Sequence, residues 1–364
     1  MLTPQKLRRH MRFWNKLEPG EGAYISLIAP LTDDPAKNTR PPLRKPASLE
    51  EQWLGVDYAV ERAETRAARL YFGLDAIQTE FLNIGPGSLA AMIGGSYELQ
   101  PGTVWYDLHP IINSWDTVPD FKLNREHELF KAVMDQTAAL TAASKDRWVT
   151  SFTDIGGSMD VLWSLRGEEL LTDMIEYPEA IEKAEYAVNS AFLDVYNSQL
   201  PLLKCQSAYT GWFSLVNTKP WYPLQCDMSV MISPAMFERF VLPGLARLSE
   251  YFGQSVYHLD GPGEIRHLDL LLSIPQLHAI QWVPLPSLTS NGGRQDFVSE
   301  ESLGVYRKTL KAGRKLVLCG VPLQQIPVIF NEVGCDGIFI ITWTSSRAET
   351  DQFIAQAENE WIKR

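Results

Sequence analysis

The stretch SVYHLDGPGEIRHLDLLLSIPQLHAIQWV, residues 255–283, predicts a strand, a helical segment and a second strand in direct succession. Its two ends, 255–260 and 278–283, are short runs of branched and aromatic residues, which favour β-strands. The Gly-Pro-Gly at 261–263 lets the chain turn sharply before the helical pattern begins. Because two strands that are joined by a helix run parallel, this stretch predicts a parallel sheet covered by helices.

The same alternation of strands and helices occurs on both sides of this stretch. Further strand candidates are FLNIG (81–85), VWYDL (104–108), WVTSFTD (148–154), QSAY (206–209), PLQCDM (223–228), KLVLCG (315–320) and GIFIITW (337–343). This number of strands favours an α/β fold of the (β/α)8 TIM-barrel type over an open doubly wound sheet. An open sheet usually has a Gly-rich turn after its first strand, and the nearest match, IGGSMD (155–160), is weak.

Residues 1–75 lack this alternation and predict a mainly helical extension that packs on a barrel formed by residues 76–364. Thr3 followed by Pro4 is typical of the start of a helix. Ser48 and Glu51 have the spacing of a capping box, which predicts a second, longer helix from that point. The extension could also contact a second copy of the chain in a homodimer.

The composition argues against several classes of protein. A formal net charge of −11 without a Lys/Arg run makes nucleic acid and anionic membrane surfaces poor partners. No apolar run reaches the ~18 residues that a membrane span needs, and the first residues lack the apolar core of a secretory signal. The four cysteines form neither a CxxC pair nor a disulfide framework. We therefore expect a protein of the reducing cytoplasm.

Strand alternation divides the side chains of residues 255–260 between two faces. Tyr257 and Leu259 suit the face that packs against helices, which leaves His258 and Asp260 pointing inward near the mouth of the barrel. Active sites of such barrels lie at the carboxyl ends of the strands. We therefore expect His258 and Asp260 to be catalytic or to bind a ligand. In the structural alternative, Asp260 orients a buried histidine or caps the following helix.

A second carboxylate ends an earlier predicted strand, where Cys226 and Asp227 precede a helix. Asp227 and Asp260, together with His258, form a set that suits general acid–base catalysis. His258, Asp260 and Cys226 are also residue types that bind zinc, although their spacing is not diagnostic. Cys226 could equally be a small buried apolar residue.

Aromatic and amide side chains lie close to several predicted strand ends. As a set they predict an aromatic-lined pocket for a flat or ring-shaped small molecule. The predicted substrate-binding residues are Trp105, Tyr209, Trp212, Gln281, Trp282 and Trp343.

Several segments, in their order along the chain, resemble the uroporphyrinogen decarboxylase superfamily. The resemblance covers about residues 80–360. The segments are SMDVLWSLRGEELLTDMIEYPEAIEKA (158–184), DMSVMISPAMFERFVLPGLARL (227–248), HLDGPGEIRHLDLLLSIP (258–275) and VPLQQIPVIFNEVGCDGIFI (321–340). The resemblance implies a (β/α)8 barrel, and the superfamily includes the porphyrin decarboxylase and zinc-dependent methyltransferases that act with corrinoid proteins.

The resemblance implies methyl transfer as the leading function, between a small methylated substrate and either a separate corrinoid protein or a thiol. The methyltransferases of the superfamily bind zinc with a His-x-Cys pattern and a second Cys after the final strand. In this chain His258 keeps the first position, Asp260 stands in place of the Cys, and no Cys follows Trp343. A DxHxxG motif for a bound corrinoid is absent from the sequence, so a corrinoid would come only with a partner protein.

Two alternatives stay open from the sequence. The first is a metal-free decarboxylase or other lyase that acts on a carboxylated, porphyrin-like substrate with Asp227 and Asp260 as paired acids. The arginine pair with which the superfamily's decarboxylase holds its substrate has no counterpart in this sequence. The second is a non-catalytic protein that binds a ligand or a corrinoid partner.

Overall fold

The computed structural model of the chain describes residues 2–106, 109–285 and 295–363. The helices are α1 (Pro4–Phe13), α2 (Leu49–Leu54), α3 (Val56–Arg69), α4 (Leu89–Met92), α5 (Glu128–Ser144), α6 (Ser158–Arg166), α7 (Glu169–Glu176), α8 (Pro178–Leu203), α9 (Pro234–Phe240), α10 (Leu242–Phe252), α11 (Leu268–Leu272), α12 (Glu300–Lys311), α13 (Ile326–Val333) and α14 (Arg347–Glu360). The strands are β1 (Tyr24–Pro30), β2 (Leu70–Leu74), β3 (Thr79–Leu82), β4 (Glu98–Leu99), β5 (Val104–Trp105), β6 (Val149–Thr153), β7 (Tyr209–Thr210), β8 (Val216–Asn217), β9 (Tyr222–Leu224), β10 (Ser255–Asp260), β11 (Leu277–Val283), β12 (Lys315–Cys319) and β13 (Ile338–Trp343).

The largest sheet has seven strands in the order β2-β1-β13-β12-β11-β10-β9. Its neighbouring strands are parallel except for β1 and β2, which pair antiparallel. The strands β10 and β11 at residues 255–283 are therefore parallel neighbours, as the opening stretch of sequence predicts. Three two-stranded ladders complete the strand pairing of the described residues: β3 with β6, β4 with β5, and β7 with β8.

The closed (β/α)8 barrel with a mainly helical extension, which the sequence predicts, is wrong for the described residues. The fold is mixed α/β, and its main sheet ends at β9 on one side and at the antiparallel strand β2 on the other. The strands β3 and β6 pair with each other and do not join that sheet. Residues 107 and 108 of the predicted strand 104–108 lie outside the described residues.

Side chains bond several backbone groups of β6 and of the residues that follow it. The Tyr222 hydroxyl donates to the Thr153 carbonyl at 2.7 Å and accepts from the Ile155 N–H at 2.8 Å. The amide of Gln199 accepts from the Thr153 N–H at 3.1 Å. The Gln206 amide bonds the N–H and the carbonyl of a single β6 residue, at 2.9 and 2.8 Å. These backbone groups are therefore satisfied by side chains and not by a neighbouring strand.

The two faces of β10 pack against different groups. Tyr257 and Leu259 lie in the main core with the surrounding helices. Val256 belongs to a separate cluster on the opposite face, which includes Phe13 of α1. His258 follows the face of Val256, because successive side chains of a strand point to opposite sides. Helix α1 therefore covers one end of this face, and His258 lies towards the end at which the strands terminate.

Residues 1–75 contribute β1 and β2 to the main sheet. The predicted helix starts are confirmed: Thr3 caps α1 and accepts from the Lys6 N–H, and Ser48 caps α2 and accepts from the Glu51 N–H. The predicted long helix is divided at Gly55, between α2 and α3. The boundary between residues 75 and 76 itself stays a prediction.

The helices of the described ranges differ widely in length, and α8 has 26 residues. None of them combines the length and the apolar character that crossing a lipid bilayer requires.

Candidate functional site

His258 lies on β10 directly opposite Gln281 of the neighbouring strand β11. The Gln281 Nε2 donates to the Trp282 carbonyl at 3.3 Å. This bond leaves the Gln281 Oε1 facing His258, and Oε1 contacts the His258 Nδ1. In this arrangement Nδ1 carries the proton and Nε2 is left as the basic nitrogen. The Trp212 ring packs edge-on against the imidazole, with centroids 6.3 Å apart. Gln281 and Trp212 therefore fix both the tautomer and the orientation of His258.

Two carboxylates converge on this histidine. Asp260 is the last residue of β10, and Asp227 begins a short 3-10 helix soon after β9. One oxygen of each carboxylate and one ring nitrogen of His258 all lie within 4.8 Å of one another. The Asp227 Oδ1 is buried and has no hydrogen-bond partner among the described residues. We call Asp227, His258 and Asp260 the triad.

The triad has the donor chemistry of a site for a divalent metal ion. One imidazole and two carboxylates suit zinc and other first-row metals. Metal–ligand bonds of about 2.0–2.2 Å would join all three groups once the side chains close on an ion. A buried carboxylate oxygen without a partner, as at Asp227, is a group that a bound cation would satisfy. The residues present therefore fit a metal ion.

Three further carboxyl groups surround the triad, and each comes from a different element. Asp160 lies in the first turn of α6; its Oδ1 accepts from the Met228 N–H at 2.8 Å, and its Oδ2 is buried without a partner among the described residues. Asp154 follows β6 and accepts from the Gly156 N–H at 3.0 Å. Glu264 is fully buried in the 3-10 helix Pro262–His267.

Burial and mutual repulsion make these carboxyl groups weak acids. Burial raises the pKa of Asp154 to about 7, and the charge of Asp227 adds to the shift. Burial also raises the pKa of Glu264 to about 10, with further contributions from Asp227 and Asp160. The pKa of Asp160 is raised well above its usual range, first by burial and then by Asp227. At neutral pH Glu264 therefore keeps its proton and can donate a hydrogen bond.

A cavity of about 370 Å³ opens beside Asp160 and Asp227. Much of its wall is aromatic or thioether, and it lies at the lower end of the size range of small-molecule sites. The lining residues are Pro86, Gly87, Val104, Trp105, Tyr106, Asp160, Trp163, Ser164, Gln225, Asp227, Met228 and Met231.

The structure brings the predicted acid–base residues Asp227, His258 and Asp260 together, but it separates Cys226 from them. Cys226 is 1% exposed and is not part of the group of converging ligand atoms. Burial raises the pKa of its thiol well above the usual range, and Asp160 and Glu264 raise it further. Cys226 lies in the main apolar core, and its part in binding zinc stays a prediction.

Three of the predicted substrate-binding residues lie at the site. Trp105 lines the cavity and is half-exposed. Trp212 and Gln281 contact His258 and do not line the cavity itself.

The other three predicted substrate-binding residues do not line the cavity. Trp282 is fully buried on the opposite face of β11, where its Nε1 donates to the Ser302 Oγ at 3.0 Å. Tyr209 pairs with β8 in a short ladder. Trp343 is exposed at the end of β13 and is not among the residues that line the cavity.

Asp154, Asp160, Trp163 and Glu264 lie at the site and were not predicted from the sequence. One signal for Asp154 is present: it ends a strand and is followed by Ile-Gly-Gly, as Asp260 is followed by Gly-Pro-Gly. The other three lie on helices, where the spacing of polar residues gives no indication of which strand end they approach.

No protein-family model matches the chain, and no curated protein matches it.

Proposed function

We propose that this chain is an enzyme that transfers a methyl group between a small methylated molecule, bound in the cavity, and a thiol or a separate corrinoid protein. We also propose that the triad binds a divalent metal ion, and zinc is the first candidate. The convergence of Asp227, His258 and Asp260 within 4.8 Å carries the metal part of this proposal. The methyl-transfer part is supported by the resemblance of residues 158–184, 227–248, 258–275 and 321–340 to the uroporphyrinogen decarboxylase superfamily.

The transferred group changes its bond partner without a change in the number of electrons. The bond between the methyl carbon and the donor heteroatom breaks with its electron pair on the heteroatom, and the acceptor supplies the pair for the new bond. A bound zinc ion would supply a Lewis acid beside the cavity. Gln281 keeps the His258 Nε2 available, and Asp160 lies in the wall of the cavity in which the departing heteroatom would be bound.

Metal content tests this proposal directly. The protein is purified without an affinity tag and without added metal, and metals are measured by mass spectrometry. We expect about one zinc ion per chain, with at least a tenfold loss in His258→Ala and Asp260→Asn. Asp57→Asn, the same chemical change at an exposed residue in the first turn of α3, is the control and keeps its metal. A protein without metal would contradict the proposal.

A metal-free lyase is the second candidate, and one observation favours it. Asp160 and Asp227 both line the cavity, and each has a buried oxygen without a partner among the described residues. In a decarboxylation the C–C bond would break with its electron pair on carbon, and one of these carboxyl groups would give a proton to that carbon. Release of CO2 from carboxylated aromatic acids by metal-free protein would favour this candidate over methyl transfer.

We propose the cytoplasm as the compartment. The cysteines support it, since Cys205, Cys226, Cys319 and Cys335 are all free thiols. The corrinoid partner and the homodimer stay predictions.

A further inference from the structure

Carboxylates that are buried elsewhere in the described residues each have a lysine or arginine partner. The pairs are Asp75–Arg9 at 2.8 Å, Glu80–Arg66 at 3.5 Å, Asp173–Arg166 at 2.5 Å, Glu185–Arg247 at 2.7 Å and Glu21–Lys315 at 2.9 Å. Each pairing offsets the cost of removing a charge from water. These pairs show how the chain normally accommodates a buried acid.

The carboxyl groups of the candidate site are the exception to this pattern. Among the ion pairs of the described residues, none includes Asp154, Asp160, Asp227, Asp260 or Glu264. One metal ion at the triad would neutralise two carboxylates at most. Asp160, whose buried Oδ2 has no partner among the described residues, would still face the cavity without a cation.

The walls of the cavity beside Asp160 are aromatic. Trp105, Tyr106 and Trp163 line it, together with the thioethers of Met228 and Met231. The faces of aromatic rings attract cations, and they attract organic ammonium groups most effectively where water is excluded. A cation beside Asp160 favours the ionised form of this carboxyl group. A carboxylate combined with aromatic rings recognises a methylated ammonium group and repels a carboxylated ligand.

We infer that the cavity binds an organic cation of the methylated ammonium class, with its charged head between Asp160 and the rings of Trp105 and Trp163. The role of this cation as the methyl donor rests on the proposed function. The C–N bond breaks with its electron pair on nitrogen, and a neutral amine leaves. The acceptor, a thiolate or a corrinoid protein, forms the new bond to the methyl carbon with its own electron pair.

A matched pair of ligands tests the charge preference. Choline and 3,3-dimethylbutan-1-ol have the same shape and differ in the positive charge, and 3,3-dimethylbutanoate places a negative charge on a similar hydrocarbon group. Binding to the purified full chain is measured by titration calorimetry. We expect choline to bind at least tenfold more tightly than the neutral alcohol, which is about 1.4 kcal/mol, and we expect no binding of the carboxylate. Equal binding of choline and the alcohol, or tighter binding of the carboxylate, would overturn the inference.

Two variants locate the binding site. Trp105→Ala and Asp160→Asn should each weaken choline binding at least fivefold. Trp105 is half-exposed, and the asparagine keeps an oxygen for the Met228 N–H, so both variants are expected to fold. The controls are Tyr186→Ala, an aromatic deletion on the exposed side of α8, and Asp57→Asn; both should bind choline as the unchanged protein does. Unchanged binding in Trp105→Ala and Asp160→Asn would overturn the assignment to this cavity.

These experiments distinguish a failure of this inference from a failure of the proposed function. A protein that contains zinc and demethylates a neutral methyl ether, but does not distinguish choline from the alcohol, would overturn the inference alone. A protein that prefers choline through Trp105 and Asp160, but contains no metal and transfers no methyl group, would support the cation site and overturn the proposed function.

Discussion

His10 shows at the scale of a single residue how this chain holds a buried titratable group in one protonation state. The Val216 N–H donates to its Nδ1 at 3.1 Å, so Nε2 carries the hydrogen and donates to the Asp75 carbonyl at 2.8 Å. Burial lowers the pKa of His10 to about 4. Protonation of Nδ1 would break the bond from Val216 and place a charge in the core.

The folded state therefore binds the His10 proton less tightly than the unfolded state does. The stability contributed by His10 is complete above a pH of about 6.5 and decreases as the pH falls towards 4, by up to about 1.4 kcal/mol per pH unit. Urea denaturation at several pH values should show a steeper loss in the unchanged protein than in His10→Gln. His109→Gln, at an exposed histidine, should retain the steeper loss. Identical slopes in all three proteins would contradict this account.

Gln281 is a positioning residue, because it would act on a metal ion at the triad only through its contact with His258. Gln281→Leu keeps a similar volume and removes the oxygen that orients the imidazole. We expect zinc affinity to fall about 10–100-fold, measured by competition with a fluorescent chelator, without a change of similar size in thermal stability. Gln352→Leu, at an exposed residue of α14, is the control. Equal zinc affinity in both variants would show that His258 needs no such support.

At the scale of elements, the sequence predicted the strand–helix–strand unit correctly and the closure of the sheet incorrectly. Residues 255–283 form β10 and β11 with the alternation that the pattern predicts. The main sheet ends at β9, and Tyr222 and two glutamines bond backbone groups of β6 in place of a further strand. Side-chain contacts between segments so distant along the chain leave no periodic signal in a single sequence.

Tyr222→Phe tests how much the two hydrogen bonds of the Tyr222 hydroxyl contribute to the stability of the fold. The substitution leaves the Thr153 carbonyl and the Ile155 N–H buried without a partner. We expect the free energy of unfolding to fall by about 1–3 kcal/mol, measured by urea denaturation. Tyr251→Phe removes a hydroxyl that bonds Asn197 at the surface, and it should cost much less. Equal costs in the two variants would mean that the Tyr222 hydroxyl is not needed at the edge of β6.

At the scale of the whole molecule, the site combines groups that the sequence predicted with groups that it did not. Alternation along β10 indicated His258 and Asp260, because both lie on a strand whose period is fixed. Asp160 and Glu264 approach the same point from a helix and a 3-10 helix that are far from each other in sequence. Only the tertiary fold decides which of the many acidic residues in the chain meet there.

The location of a bound metal ion is the most direct test of the account. Crystals of protein purified without added metal or chelator would be measured at X-ray energies on both sides of the zinc edge. We predict an anomalous peak that is bonded to the His258 Nε2 and to carboxylate oxygens of Asp227 and Asp260, at about 2.0–2.2 Å. Density at these residues without an anomalous peak, or a peak only at another position, would contradict the central claim.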